Sequence, residues 1–395
     1  MNLPIDDSIN KSKIAVVVVG YNRLHSISRL LNSLLKANYP GNDIPLVISI
    51  DCSNDLDLYK YVRSFEWPFG DKYVYIHEKR LGLKDHIFSC GDMTRYFKAI
   101  ILLEDDLYVS TEFYEYVCLT VDKYQSDSRI AGISLYKNET NGFVGLPFTP
   151  LNNGFDVFAL QDTSTWGECW TESMWISFRQ WLENTHVDIN GLEIPEQIKH
   201  WKEAWSKYYN AYLFCCDKYF IYPYISLSSN FSDAGVHGGD NNSLLQVSLL
   251  YGKKSYNLPD FKNLVVYDGF GNNKNLAKYC GFSDDEICVD LYGNKGNLYG
   301  KKYWLSTLQL PFKVEKSFAL NMRPIDLNII NNITGKGIFL YNTSIKVSSG
   351  GKSKLPVDYF IYHLQGFRRD YLLRTVWRIY FDSLKRKLKI QYTLK

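Results

Sequence analysis

Short hydrophobic runs alternate with amphipathic segments over the first 135 residues of the chain. Ile14–Val19 is a continuous β-branched run, which is typical of a strand buried on both faces. Further strands are predicted at Ile44–Ile50, Tyr73–His77, Ala99–Leu103 and Ile130–Leu135. Apolar residues at helical spacing predict helices between them, at Leu24–Leu35, Leu56–Phe65, Lys84–Tyr96 and Thr111–Tyr124. Regular alternation of this kind predicts an α/β fold with a mostly parallel sheet and helices on both faces.

The pattern changes after about residue 142. A strand at Val157–Leu160, a helix at Pro195–Phe214 and a strand near Tyr219–Tyr222 are predicted there, and a loop rich in Ser, Asp and Gly follows. Beyond Asn257 the chain is rich in Asn, Gly and Lys and carries short strand-like pieces. We therefore expect a main domain at 1–256, an appended subdomain at 257–367 and a C-terminal helix at 368–395.

The composition excludes several classes of protein. Apolar residues make up 46% and charged residues 22% of the 395 positions, which excludes a disordered or fibrous chain. The formal net charge of +3 gives no reason to expect a nucleic-acid partner. Met1–Lys13 contains two aspartates and no apolar segment, so it does not resemble a signal peptide, and we expect a cytoplasmic location.

Three consecutive acids carry the strongest chemical signal in the sequence. Glu104, Asp105 and Asp106 directly follow a hydrophobic strand, at the edge where open α/β sheets place their ligands. Crowded carboxylates repel one another, and a divalent ion held by one or two of them and by substrate phosphates relieves that repulsion. The alternative is a solvated acidic turn.

Other strand ends are expected to meet at the same edge of the sheet. Asp51 closes the second strand, where it could accept a hydrogen bond from a base or a ribose, or cap the next helix. Arg23 opens the first helix, where a guanidinium and free backbone amides could meet a phosphate. The Gly-x-Gly-x-x-Gly and Walker loops are absent from the sequence, which argues against a dehydrogenase or a P-loop enzyme.

With these residues the chain resembles the GT-A glycosyltransferases. Val17-Val-Val-Gly-Tyr-Asn-Arg-Leu, Ile50-Asp51, Gly82-Leu-Lys and Leu103-Glu-Asp-Asp106 look like their successive motifs. The likeness covers roughly residues 13–240 and points to the N-acetylglucosaminyltransferase I type and related bacterial family-2-like enzymes. It implies a GT-A, Rossmann-like fold and inverting transfer of a sugar from a nucleoside-diphosphate donor, with a UDP-sugar favoured.

The resemblance also implies roles for single residues. Asp106 would bind Mn²⁺ or Mg²⁺ directly, and Glu104 and Asp105 would face the ribose and the sugar of the donor. Asp51 would meet the nucleobase, and Arg23, with Tyr21 beside it, the pyrophosphate side.

The catalytic base and the acceptor site are predicted in the Trp-rich second part. Inversion needs a carboxylate beside the acceptor hydroxyl. By the resemblance Glu203 is the preferred base and Glu168 its rival; each could instead be a structural carboxylate. Trp166 and Trp170 could stack on an acceptor sugar or simply pack. His237, in the Ser/Asp/Gly-rich loop, could ligate the metal or touch the diphosphate, or be merely exposed.

The C-terminal tail is basic and amphipathic. Arg368–Lys395 contains nine basic and two acidic residues, and apolar residues recur along it every fourth position. This pattern suits a helix that lies on an anionic membrane surface, although a helix docked on the body would show the same pattern. We expect a peripheral position at the inner face of the membrane and a carbohydrate or lipid-linked glycan acceptor, in bacterial surface-polysaccharide or glycolipid synthesis.

Two other classes of protein remain open. A sugar nucleotidyltransferase would use a similar sheet and metal, but the sequence lacks a Gly-rich, basic phosphate loop after the first strand. A non-catalytic carbohydrate-binding protein would need the aromatic residues but not the three acids at a strand end.

Overall fold

The computed structural model describes residues 11–185, 187–202, 204–233, 245–252, 255–296, 300–347, 357–364 and 366–393. The first part contains β1 (Ile14–Gly20), α1 (Leu24–Leu34), β2 (Leu46–Ile50), α2 (Leu56–Ser64), β3 (Lys72–Ile76), α3 (Leu83–Gly91), β4 (Ala99–Glu104), β5 (Leu107–Val109), α4 (Phe113–Tyr124) and β6 (Ile130–Ser134). The second part contains β7 (Thr140–Asn141), β8 (Leu146–Pro147), β9 (Val157–Leu160), β10 (Glu168–Thr171), α5 (Glu172–Asn184), α6 (Glu196–His200), α7 (Trp205–Cys215), β11 (Tyr219–Pro223) and β12 (Ser228–Asn230). The third part contains β13 (Val266–Tyr267), α8 (Leu276–Tyr279), β14 (Ile287–Asp290), β15 (Tyr303–Ser306), β16 (Phe312–Phe318), α9 (Asp326–Ile330), β17 (Ile338–Lys346), α10 (Val357–Leu364) and α11 (Arg369–Thr393).

A nine-stranded sheet forms the centre of the molecule, in the order β13-β9-β11-β6-β10-β4-β1-β2-β3. The four strands β4, β1, β2 and β3 are parallel neighbours. β10 runs antiparallel to both β4 and β6, and β9 runs antiparallel to β11. Every residue of β1 and β2 is buried, so both faces of the sheet are covered there. The predicted α/β fold with a mostly parallel sheet is confirmed.

Two predicted helices are interrupted in the structure. The helix expected at Pro195–Phe214 is divided into α6 and α7, because Trp201 and Ala204 both have extended backbone angles. The helix expected at Lys84–Tyr96 ends at Gly91 and continues as a 3₁₀ turn. Gly91 is required at this end, since a Cβ there would lie 2.1 Å from the ring of Trp175.

The C-terminal part adds a second sheet to the same core. Four strands pair in the order β14-β15-β17-β16. β13 lies beyond the boundary predicted after residue 256, yet it pairs with β9 as the edge strand of the central sheet. Leu276, Leu305 and Ile338 belong to one buried cluster with the strands of the first part. The central sheet therefore extends into the region predicted to be an appended subdomain.

The chain ends in two helices. Tyr359 and Tyr362 of α10 are buried, and Arg323 donates a hydrogen bond to the carbonyl of Tyr362, so α10 is fixed to the body. α11 follows over 25 residues. In the described parts of the chain, no helix is both long and apolar enough to cross a membrane.

Candidate functional site: the carboxyl edge of the parallel strands

The ends of β1, β2 and β4 lie side by side at one edge of the central sheet. Val19 pairs with Glu104 in register, and Gly20 pairs with Ile50, which precedes Asp51. This register brings the acids predicted from strand ends to a common edge. A Cβ on Gly20 would lie 3.1 Å from the side chains of Ile27 and Ile50, so the small residue allows the first loop to pack closely against its neighbours.

Arg23 holds two of the three acids. Its guanidinium forms a two-pronged ion pair with Asp105, in which Nε lies 3.2 Å from Oδ2 and Nη2 meets Oδ1. Nη1 donates to Oδ2 of Asp106 over 3.2 Å and to the backbone carbonyl of Asp233 over 3.2 Å. In this conformation the arginine expected to face a pyrophosphate neutralises the carboxylates expected to face a metal and a sugar.

The segment after β11 covers these acids and contributes residues that the sequence analysis missed. β12 pairs with β5, and Asn230 donates its side-chain amide to Oδ1 of Asp106 over 3.2 Å. Asp233 accepts hydrogen bonds from Ser26 at 2.7 Å and from Arg29. The only sequence signal was the polar composition of the loop that also carries His237.

The electrostatics of the edge follow from crowding and burial. Burial, reinforced by the charges of Asp106 and Asp105, raises the pKa of Glu104 well above its usual range. Burial also raises the pKa of Asp105 to about 6, although Arg23 opposes the shift. For Asp233, burial is outweighed by the hydrogen bonds from Arg29 and Ser26, and its pKa is lowered.

Glu168 lies beside the acids on the neighbouring strand. It pairs with Leu102 of β4, so its side chain is on the same face of the sheet as Glu104, two residues further along. The residue has no exposed surface; Oε2 accepts a hydrogen bond from the Gly167 amide at 3.1 Å, and Oε1 has no partner among the described residues. Burial, with Glu104 nearby, raises the pKa of Glu168 well above its usual value.

Asp51 is tied to the loop that follows β3. Its carboxylate accepts hydrogen bonds from the backbone amides of Leu81 at 2.9 Å, Gly82 at 3.0 Å and Cys52 at 2.8 Å. The same loop places the Arg80 guanidinium 4.6 Å from the ring centre of Tyr21. Sequence reasoning did not single out Arg80, which adds an exposed cation to this edge.

Buried histidines lie next to Asp51. The Ser49 hydroxyl is within hydrogen-bond distance of Nε2 of both His77, at 3.2 Å, and His86, at 2.7 Å. Burial lowers the pKa of His86 to about 4, and it lowers that of His77 as well. Both rings are therefore neutral near pH 7.

The two tryptophans predicted to meet an acceptor differ in position. Trp166 is partly exposed, and its ring centre lies 4.7 Å from that of Tyr136. Trp170 has no exposed surface and is enclosed by Trp175, Trp205 and Tyr209. The prediction that Trp170 stacks on a sugar is corrected, because β10 passes through the centre of the sheet and its side chain fills the core.

Two predicted site residues, Glu203 and His237, lie outside the described residues. Among those that are described, no three His, Cys, Asp or Glu side chains converge to hold a metal ion. The carboxylates of Asp105 and Asp106 do offer the hard oxygen donors that Mg²⁺ and Mn²⁺ prefer. The set therefore fits an ion that takes its remaining ligands from substrate phosphates and water.

No family model matches the chain. No curated protein matches it either.

Solved structures match parts of the chain, with TM-scores below 0.5. A structure of TarS from S. aureus in complex with UDP-GlcNAc is 24% identical, with a TM-score of 0.27, and covers 35% of this chain and 37% of its own. The mannosyltransferase PcManGT from Pyrobaculum calidifontis, in complex with GDP-Man and Mn²⁺, is 9% identical with a TM-score of 0.34 and covers 57% and 60%. GalNAc-T7 with UDP, GalNAc and Mn²⁺ is 15% identical with a TM-score of 0.37 and covers 55% and 43%. The matches span less than two thirds of each of these chains, so the functional argument rests on the residues of the site.

Proposed function

We propose that this chain is an inverting glycosyltransferase that moves a sugar from a nucleoside-diphosphate donor, UDP-sugar favoured, to a carbohydrate acceptor. The observation that carries the proposal is the convergence of Arg23, Asp51, Glu104, Asp105 and Asp106 at the carboxyl edge of parallel strands. A nucleotide-sugar needs a cation for its diphosphate and carboxylates for its hydroxyl groups, and this edge offers both.

On binding, the diphosphate of the donor would replace Asp105 and Asp106 as the partner of Arg23. The guanidinium now spans Asp105 and Asp106, and a bidentate phosphate contact is the other geometry for which its planar fork is suited. Arg23 is also the N-cap residue of α1, and no side chain caps this helix end, so the first-turn amides are available to an anion. Both features support a diphosphate site beside Asp106.

Asp106 would hold Mn²⁺ or Mg²⁺, with His237 proposed as a further ligand, and Glu104 and Asp105 would face the ribose and the sugar of the donor. Such an ion supplies Lewis-acid stabilisation of the charge on the departing nucleoside diphosphate. Asp51 would accept a hydrogen bond from the nucleobase, since its two oxygens have about four acceptor sites and three backbone amides use the others. Tyr21 and Arg80 would border the nucleotide.

Glu203 is the proposed catalytic base. Glu168 is the weaker candidate, because it is fully buried, its Oε2 accepts the Gly167 amide, and burial raises its pKa, which disfavours the charged form that a base needs. Glu168 is better suited to donate or accept a hydrogen bond at the floor of the site. Trp166, partly exposed at the edge, remains a proposed acceptor contact, and the acceptor is proposed to be a bacterial surface-polysaccharide or lipid-linked glycan intermediate.

The test is calorimetry with a panel of UDP-, GDP-, CMP- and dTDP-sugars, with and without Mn²⁺. We expect one donor to bind in a metal-dependent manner, the Asp106→Ala variant to lose that binding, and the control Asp284→Ala, at an exposed site, to retain it. Glu203→Gln is expected to keep the donor and to lose transfer, by a factor of about 10² to 10⁴.

Other outcomes would redirect the proposal. If no nucleotide-sugar binds under any condition, the transferase proposal fails. If the protein instead makes a nucleotide-sugar from a sugar phosphate and a nucleoside triphosphate, it is a nucleotidyltransferase. Glycan binding that survives Asp106→Ala, without donor binding, would identify a carbohydrate-binding protein.

A further inference from the structure

The last helix of the chain presents large apolar side chains to solvent. Within the described part of α11, its hydrogen bonds and ion pairs are formed inside the helix or with Arg368. Trp377 is 59% exposed and Phe381 is 53% exposed, and their rings stack on each other with centres 5.9 Å apart. Large contiguous exposed apolar patches mark interaction sites, so the extent of the apolar surface around this pair matters.

Most of the exposed apolar side chains form one stripe. At about 100° per residue, six of them project within an arc of about 140° around the helix. These six, all exposed, are Leu373, Val376, Trp377, Tyr380, Phe381 and Leu384. Two other exposed apolar side chains lie outside this arc: Ile379 about 60° beyond Val376, and Tyr371 on the side of the basic residues. The stripe therefore holds six of the eight large exposed apolar side chains of the described helix.

Charge is distributed to match this stripe. Arg374, Arg378 and Lys385 lie within about 40° of one another, directly beside Phe381 on the helix surface. Asp382 lies opposite the middle of the stripe, and Asp370 is paired with Arg368 at 2.8 Å. The surface formed by the stripe and its basic border is therefore apolar and cationic, without a free carboxylate among its described residues.

We propose that α11 lies in the plane of a membrane surface that contains anionic lipids. The apolar stripe enters the acyl boundary, and the basic border contacts the anionic headgroups. Aromatic residues are suited to this interface because their rings are apolar and their polar atoms reach water. The inference does not depend on the proposed transferase function.

A second copy of α11 fits this surface less well. The basic border of Arg374, Arg378 and Lys385 would lie beside a seam between two copies. Two copies in parallel would bring like charges together beside the seam. An anionic bilayer offers an apolar interior to the stripe and negatively charged headgroups to the basic border.

Flotation of the full-length protein with lipid vesicles tests the proposal. We expect the protein to bind phosphatidylcholine vesicles that contain phosphatidylglycerol, and to bind them less at high salt. The triple variant Arg374→Gln/Arg378→Gln/Lys385→Gln should lower the partition coefficient by at least about tenfold, since each cation near such a surface is worth roughly a factor of five. Trp377→Ser/Phe381→Ser should weaken binding to a similar degree.

The control variant is Thr375→Ala, at an exposed uncharged position on the side of the helix away from the stripe, which should retain binding. All of the substituted side chains are exposed, so circular dichroism and thermal unfolding should match the wild type. Absence of binding to any vesicle, or equal binding to neutral and anionic vesicles, would overturn the proposal. A concentration-dependent dimer that Trp377→Ser/Phe381→Ser abolishes would assign the surface to a second copy instead.

Discussion

Two clusters of carboxylates in this molecule are neutralised in different ways. At the carboxyl edge of the central sheet, Asp105 and Asp106 are held by Arg23, which lies 82 and 83 positions away in the chain. In the C-terminal part, Asp268 and Asp290 accept hydrogen bonds from backbone amides two to five positions further along their own turns. The first cluster is held by side chains from distant segments. The second is held by backbone amides of its own turns, together with the ion pair between Asp268 and Lys295, which are 27 positions apart.

The two clusters differ in whether the hydrogen-bonding partner of the carboxylates can leave them for a ligand. A backbone amide of the same turn cannot leave without unfolding that turn, so Asp268 and Asp290 serve the fold. A guanidinium on a flexible side chain can turn from a carboxylate to an incoming phosphate without unfolding any element. We conclude that the Arg23 cluster is the one suited to ligand exchange.

The largest effect on stability is expected for Asp268→Asn. The carboxylate pairs with Lys295 at 2.7 Å, and both side chains are largely buried. Burial would lower the pKa of Lys295, but Asp268 outweighs it and raises that pKa. Asparagine still accepts the turn amides but removes the carboxylate that is ion-paired with the ammonium, which leaves Asp290 as its remaining negative neighbour. The free energy of unfolding, measured with urea, should fall by about 3–5 kcal/mol.

The double variant Asp268→Asn/Lys295→Met provides the control. Removing both charges should recover part of the lost stability, because the Lys295 ammonium is no longer buried without Asp268, although Asp290 then loses the charge of Lys295. Nucleotide-sugar affinity should stay the same in both variants at a temperature where they are folded. Weaker donor binding without a loss of stability would contradict the structural role assigned to this cluster.

Arg23→Met tests the exchangeable cluster. A divalent ion and the guanidinium compete for the same oxygens of Asp105 and Asp106. Since a hydrogen bond to a charged group is worth about 1.5–3 kcal/mol, affinity for Mn²⁺ alone should rise by at least about tenfold in this variant. Affinity for UDP in the presence of Mn²⁺ should fall, because the diphosphate loses its guanidinium. Electron paramagnetic resonance of free Mn²⁺ and calorimetry with UDP measure the two effects.

The matched control is Arg29→Met. Arg29 is a second guanidinium in the same region, but its carboxylate partner is Asp233, and it makes no described contact with Asp105 or Asp106. Removing this side chain should change the affinity for Mn²⁺ alone by no more than about twofold. That change is much smaller than a tenfold change in affinity, which corresponds to about 1.4 kcal/mol. An equal rise in both variants would mean that the contacts of Asp233, rather than the pairing of Arg23, limit access to the acids.

The strands that build the site could be predicted from the sequence. A strand at Ala99–Leu103 was expected, and a strand at Ala99–Glu104 is observed. A short continuous apolar run that ends at charged residues is typical of a buried strand. That the acids follow such a strand also gave their position at the edge of the sheet. Their roles toward a donor stay predictions.

The contacts of the site could not be predicted in the same way. The pairing of Arg23 with Asp105 and the contact of Asn230 with Asp106 join segments that are distant in sequence, and no local pattern reports them. Trp170 was misassigned because a tryptophan that packs and one that stacks on a sugar have the same local sequence. The break between α6 and α7 was missed because helical spacing of apolar residues continues across it.

The smallest effect on stability is expected at the N-terminus of α2, where a carboxylate is bound by a backbone amide of its own helix. Asp55 caps α2 by accepting the Leu58 amide at 3.0 Å, whereas α1 begins at Arg23 without a side-chain cap. Asp55→Ala should lower the free energy of unfolding by about 1 kcal/mol, and Asp55→Ser should restore most of it. Donor affinity should not change in either variant, since the Asp55 carboxylate is used by its own helix. The contrary result would be that Asp55→Ala lowers the free energy of donor binding more than the free energy of unfolding. A carboxylate bound by its own turn would then also contact the ligand, and the distinction between the two kinds of carboxylate would fail.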